Sequence, residues 1–385
     1  MDDAGLTFQL AAGIGAIAAE EWDACAGATN PFVRHGFLAA LEQSGSAGPR
    51  TGWLPRHATL RDTSGRLVAC APMYAKAHSH GEYVFDHAWA NALARAGGSY
   101  YPKLQVAVPF SPVPGPRLLV RDGIQPAPLQ RAMATALAEC AAALDCSSVH
   151  VTFCTEAEQD ACAEAGWLRR IGVQFHWQNA GYRDFQDFLD TLSSRKRKSI
   201  RKERDRAREG LELRALTGAE VTPLQWRTFH RFYLSTVDKR WGQAYLSEKF
   251  WPAMAASVGD AVVLMVAERR GEMVAAALNL RGGDALFGRN WGCAIEQPYL
   301  HFELCYYMAI EHAIAQQISR VEAGAQGEHK IARGYLPVAT WSAHHIAHPG
   351  LSAAVAEFLE RERPAVVAHM AELAEASPYR RDSEA

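Results

Sequence analysis

The stretch AVVLMVAERRGEMVAAALNLRGGDALFGRNW (261–291) holds three apolar runs, at 261–268, 273–281 and 285–291. Arg269-Arg270-Gly271 and Gly282-Gly283-Asp284 separate them, and glycine-bearing turns between short apolar runs predict an antiparallel meander. Downstream, the spacing predicts a helix at 299–317, a strand at 319–323, a short helix near 328–333 and a strand at 339–346. A meander followed by a helix and a parallel strand is a mixed α/β unit.

The same order is expected upstream. A helix at 31–44 follows Asn30-Pro31, with Asn30 as N-cap, and runs at 57–62 and 66–75 flank the turn Asp62-Thr63-Ser64-Gly65. A third run, GEYVFD (81–86), precedes the proline-rich segment 97–128; an alanine-rich helix (127–144), a strand (147–154), a helix (156–165) and a strand (170–177) complete the set. The reading is α/β with two tandem units, each a mixed sheet flanked by helices, at 1–178 and 179–385. The second is introduced by helices at 184–192 and 195–209 and closed by an amphipathic helix at 350–375.

The 385 residues are 49% hydrophobic and 21% charged, a globular composition that removes collagen-like, coiled-coil and wholly disordered readings. A net charge of −2 means that any electrostatic partner must meet a local patch. Asp2 and Asp3 stand where a secretory signal needs basic residues, and no apolar run reaches about 18 residues, so a cytoplasmic protein without integral membrane contact is expected. The eight cysteines form no C-x-x-C pair and are read as small core residues.

One patch stands out. Arg195 to Arg208 carries nine basic and two acidic residues, a local +7 against −9 for the rest of the chain. Such a run is either a solvated helix face or an anion site; concentrating it in an otherwise acidic protein points to phosphate, with Arg195, Arg197, Lys198, Arg201 and Lys202 as contacts. A second cluster, EAGAQGEHKIARGYLPV (322–338), follows a short strand and gathers Glu322, Glu328, His329, Lys330, Arg333 and Tyr335 on a glycine-relaxed backbone.

Several strings resemble the FemAB-like family of N-acyltransferases, within the Gcn5-related acyltransferase superfamily. They are NPFVRHGFLAALEQSGS (30–46), GEYVFDHAWANAL (81–93), YYPKLQVAVPFSPVPGPRLL (100–119), HVTFCTE (150–156), GVQFHWQN (172–179), LSSRKRKSIRKER (192–204), HFELCYY (301–307) and the 322–338 cluster. The resemblance implies two Gcn5-related acyltransferase-like units of Fem type and a role in peptidoglycan biosynthesis. It also implies transfer of an acyl or aminoacyl group to an amine acceptor, with acyl-CoA or aminoacyl-tRNA as co-substrate and no tightly bound cofactor. The pyrophosphate loop of acetyl-CoA-dependent relatives is missing from WGCAIEQPYLHFE (291–303), which favours a donor other than acetyl-CoA.

Aminolysis of a thioester or ester needs a base for the amine proton and donors aimed at the oxyanion. Glu322, Glu328 and His329 are the candidate bases, with Glu303 aimed from the start of the 299–317 helix. Lys330, which the resemblance places near the reacting ester, is the candidate oxyanion donor. Arg289 and Arg333 are expected on the donor's phosphate. Trp241, Trp291 and Tyr335, with Asp86, Trp89, Tyr101 and Lys103 of the first unit, are expected around the acceptor at the junction of the units. His344-His345-Ile346-Ala347-His348 puts neighbouring histidines on opposite strand faces, so no metal is expected. The competing reading is a non-catalytic protein that binds an anionic cell-wall precursor or RNA.

Overall fold

The computed structural model describes residues 5–239, 243–324 and 327–380. The chain forms two compact units, 1–172 with 339–367, and 173–338 with 368–385. Element order suggests a boundary at 178/179; by contacts the chain passes between the units three times, at 172/173, 338/339 and 367/368. A long strand, Leu168–Gln178, leaves the first unit, and another, Leu336–Ile346, returns to it to pair with Ser148–Cys154.

The first unit contributes β1 (Thr7–Ala11), β2 (Trp53–Pro55), β3 (His57–Arg61), β4 (Leu67–Ala71), β5 (Met73–Lys76), β6 (Lys103–Val106), β7 (Leu119–Val120) and β8 (Ser148–Cys154). Four of these pair as an antiparallel sheet, β1-β3-β4-β7, and the others pair in the order β2-β5-β6-β8, with β6 and β8 parallel. Leu104, Val106, Val149 and Val151 pack with Met133 and Leu137 of the alanine-rich helix Pro126–Ala143 in this unit's core. The crossing strand is β9 (Leu168–Gln178).

The second unit holds β10 (Glu212–Thr217), β11 (Val262–Arg269), β12 (Glu272–Gly282), β13 (Ala285–Cys293) and β14 (Arg320–Glu322), and the returning strand is β15 (Leu336–Ile346). The expected meander is β11-β12-β13; its first turn places Arg270 and Gly271 at φ 54° and 78°, the left-handed pair that a tight hairpin requires. β13 and β14 are parallel, and β14 pairs antiparallel with β9.

Several expectations fail for identifiable reasons. GEYVFD is no strand: Glu82 and Asp86 turn inward to a buried lysine while Tyr83, at φ 60°, and Phe85 face solvent, and a helix, His87–Arg95, follows. The run 66–75 splits into β4 and β5 of different sheets at Pro72, which has no N–H for a ladder and accepts a bond from Ala107 N at 3.0 Å. The 31–44 helix is a short 3-10 turn, Pro31–Val33, then His35–Gln43, separated by the extended Arg34; Asn30 caps the turn, accepting from Phe32 N at 3.0 Å. The 299–317 helix contains a π-turn, Glu303–Tyr307, between α-helical segments Leu300–Phe302 and Met308–Ala315.

Candidate active site

β13 and β14 stay paired for three residues, ending at Phe287 opposite Glu322, and then part. β13 is also bulged at that point: Asn279 of β12 faces Gly288 and Ala277 faces Trp291, so Arg289 and Asn290 together oppose Leu278. A bulge puts two residues opposite one and bends the strand locally. Gly288 sits where a Cβ would lie 3.2 Å from the Glu322 carbonyl and 3.4 Å from Asn279 Oδ1, so glycine lets the strands come this close before they diverge.

The opening is a cleft of about 70 Å³ lined by Asn279, Arg289, Asn290, His301, Cys305 and Tyr306. The π-turn supplies two of its walls. By inserting a residue into the helical repeat it brings the His301 and Tyr306 rings to 5.4 Å, and π-turns are frequent at functional sites.

The 322–338 cluster lines the cleft at Ala323, and its 3-10 segment Glu328–Arg333 meets the lining residue Tyr306 through His329. His329 is solvent-exposed, and its Nε2 lies 3.0 Å from Tyr306 Oη. Partial burial and then the Arg333 and Lys330 charges hold its pKa below the usual imidazole range, so the ring is neutral and able to take a proton. Lys330 is buried at 2% exposure and donates from Nζ to the Gly324 carbonyl at 2.8 Å; burial pushes its pKa down to about 8. Glu322 is buried too, accepting from Arg320 Nε at 2.9 Å, and His176 Nε2 stands 3.8 Å away, kept neutral chiefly by burial. Glu328 is exposed at the start of the segment.

Other expected site residues have different surroundings. Glu303 is fully buried and clamped by Arg204 Nη2 at 3.0 Å and Arg208 Nη2 at 2.7 Å; burial raises its pKa to about 7 despite Arg208. It holds the π-turn to the helix Ser194–Arg208 and does not face the cleft lining. Arg333 also turns inward, bonding Glu203 Oε2 at 2.9 Å and the His329 carbonyl at 2.7 Å, with its guanidinium 3.4 Å over Phe302. Tyr335 is fully buried and donates to the Tyr306 carbonyl at 3.4 Å. Trp291 reaches the rim of the cleft, 4.9 Å from the His301 ring. Trp241 lies outside the described residues.

The basic helix is two-faced. Ile200, Arg204 and Ala207 are buried, while Arg195, Lys198, Arg201 and Lys202 are exposed and Arg197 pairs with Asp190 at 3.4 Å. In the first unit Lys103, Asp86 and Trp89 do come together with Tyr101, but all except Tyr101 are buried, and Lys103 is bonded to Asp86 and Glu82. Sequence reasoning passed over Asn279, Cys305, His176, Lys76 and Glu82. Asn279 alone left a signal, as the lone polar residue inside the apolar run VAAALNL (274–280).

A family profile described as peptidoglycan biosynthesis/recognition, FemAB-like, matches residues 13–381. The chain belongs to the FemAB-like family. Among solved structures this FemAB-like chain is similar to FemX, at 9% identity over 88% of this chain and 98% of that one, with a TM-score of 0.56. It is also similar to the C-terminal domain (DUF2156) of a putative lysylphosphatidylglycerol synthetase from Agrobacterium fabrum, at 10% identity over 89% and 95% of the two chains, TM-score 0.55. A tandem Gcn5-related (GNAT) protein from the clavulanic acid pathway matches over 89% of this chain and 99% of that one at 14% identity, TM-score 0.45. No curated protein matches in sequence. At these identities the likeness to FemX and the synthetase domain establishes the fold alone, a mixed α/β fold of sheet flanked by helices. Among the described residues no helix is long and apolar enough to cross a membrane, and no three metal-ligating side chains converge.

Proposed function

We propose that the protein transfers an acyl or aminoacyl group from a phosphate-bearing donor to an amine, with the chemistry in the second unit. The observation that carries this is the parting of β13 and β14 at a bulge, beside a neutral His329 and a buried Lys330. The donor carbonyl enters the cleft at Arg289–Asn290, where Lys330 receives the developing oxyanion. His329, oriented by Tyr306, takes the proton of the attacking amine. Glu322 is the alternative base, and Glu328 lies close enough in sequence to assist His329. The donor's phosphates meet Arg195, Arg197, Lys198, Arg201 and Lys202 on the outer face of the basic helix, with Arg289 at the cleft. The acceptor amine is held against Trp291 at the rim.

The missing pyrophosphate loop supports a donor other than acetyl-CoA, so aminoacyl-tRNA is placed first and longer acyl-CoA second. FemX and the lysylphosphatidylglycerol synthetase domain share the fold, which is compatible with this order. Mass spectrometry of protein purified from its native host, searching for retained charged tRNA or acyl-CoA, tests the donor. Retained acetyl-CoA would reverse the order; RNA binding without transfer to any amine, unaffected by His329→Ala, would make the protein a binding module instead.

A further inference from the structure

Residues 77–86 of the first unit carry an inverted pattern: Glu82 and Asp86 are buried at 4% and 3% exposure, while Phe85 between them is 60% exposed and Tyr83 is held at φ 60°. A segment that buries its acids and exposes its aromatics is not held by hydrophobic burial. Its acids meet a pair of fully buried lysines on adjacent strands, Lys76 at the end of β5 and Lys103 at the start of β6, directly paired in register, while Tyr100 Oη donates to Asp86 Oδ2 at 2.8 Å and Arg170 Nη1 to the Phe85 carbonyl at 2.8 Å. Lys103 Nζ donates to Glu82 Oε2 at 2.7 Å, to Ser79 Oγ at 2.9 Å and to Asp86 Oδ2. Lys76 Nζ lies 3.7 Å over the Trp53 ring, 3.8 Å from Glu82 Oε1, and donates to the His80 carbonyl at 3.2 Å. One carboxylate thus spans both ammonium groups.

The fit is incomplete. Glu82 Oε1 and Asp86 Oδ1 are buried and accept no hydrogen bond, an unfavourable state for a carboxylate oxygen out of water. Burial also pushes Lys76 down to about 7 and Glu82 up to about 7, so the closed arrangement strains the charges that hold it shut.

We propose that Lys76 and Lys103 form an oxyanion-binding site for a carboxylate or phosphate group, and that residues 77–86 are a displaceable lid whose Glu82 occupies the ligand's seat. When an external oxyanion takes the lysines, Glu82 and Asp86 move to water, Ser79 and Tyr101, now joined Oγ to Oη at 2.9 Å, line the site, and the outward aromatics of the lid are free to cover the ligand. The inference deepens the expectation that Lys103, Tyr101 and Asp86 serve acceptor binding. It concerns the first unit alone and stands or falls without the transfer chemistry of the second.

Pyridoxal 5′-phosphate is the probe, an anionic aldehyde that condenses with a neutral lysine amine. Nζ adds to the aldehyde carbon, water leaves, and borohydride reduces the imine to a stable secondary amine located by peptide mass mapping. The expected result on the full chain is labelling of Lys76 ahead of the exposed Lys198, Lys202 and Lys249, protection by inorganic phosphate or by acetate, and about tenfold faster labelling in Glu82→Gln/Asp86→Asn. The stronger protector identifies which oxyanion the site takes. Labels confined to the surface lysines in both proteins, or protection by neither anion, overturn the proposal. If the double variant does not fold, hydrogen exchange of wild type decides. Amides of 77–86 that exchange well ahead of global unfolding and slow in phosphate support the lid, and amides that exchange only with global unfolding overturn it.

Discussion

Arg333 Nη2 donates to Glu203 Oε2 at 2.9 Å, and Tyr307 Oη donates to the same oxygen at 2.5 Å. One carboxylate on the basic helix therefore holds both the 3-10 segment that carries His329 and Lys330 and the last residue of the π-turn. Glu203→Gln keeps the shape but removes the charge facing a guanidinium that is 8% exposed, so a loss of about 1–3 kcal/mol is expected in urea unfolding. Amide exchange over 328–335 should accelerate alongside, and unchanged exchange there would show that the segment is held by other contacts.

Lys330 gives a signed pH dependence. Its pKa is about 8 folded against 10.5 for the ordinary amine, so between those values the unfolded chain holds more protons and stability rises with pH. Below about pH 8 both states are protonated and the penalty is complete, on the order of 3 kcal/mol. Lys330→Met removes the group, so the difference between wild-type and variant unfolding curves should narrow from pH 8 to 10.5 in favour of wild type. A flat difference would mean that the ammonium is solvated.

The two faces of the basic helix should respond differently. Arg204, buried against Glu303, is expected to cost about 3–5 kcal/mol on Arg204→Ala because a buried carboxylate loses a partner. The combined neutralisation of Arg197, Lys198, Arg201 and Lys202 to Gln should move stability by about 1 kcal/mol or less, since these side chains are at the surface or half-buried. It should flatten the salt dependence of binding to unfractionated tRNA by up to about 3 units in log K against log salt. An unaltered slope for tRNA and unaltered affinity for coenzyme A would take this face out of the donor site.

Gly288→Val places a side chain 3.2 Å from the Glu322 carbonyl, at the point where β13 and β14 part. Overpacking of this kind costs about 1–3 kcal/mol, and the cleft should close to the donor head. Calorimetric titration with the donor found in the purified protein should show a loss of at least about tenfold; full affinity would place the reacting group elsewhere.

His329→Gln should melt near wild type, because the ring is exposed, and lower transfer by on the order of a hundredfold. The pH-rate profile of wild type should show an ascending limb below the ordinary imidazole value, following the lowered pKa of His329. A variant with full activity would pass the role of base to Glu322.

The sequence by itself determined the element order from β11 to the closing helix, the β11-β12-β13 meander with its Arg270-Gly271 turn, and the position of the 322–338 cluster after a short strand, because periodicity and turn chemistry are local properties. It also determined that the basic run is a helix. Tertiary structure alone decided which charges are free. Arg204, Arg208, Arg333 and Glu303 look as available in the sequence as Arg195 or His329, yet they are spent on one another, and Glu82 and Asp86 lie in a stretch that reads as a strand. Whether an ionisable group meets water or an opposite charge depends on residues 95–130 positions away, as Arg208 from Glu303 and Arg333 from Glu203, and no local pattern encodes such a pairing. The cleft is of the same kind: it exists because β13 is bulged and β14 turns away after Glu322, a divergence of two strands that only the assembled sheet contains.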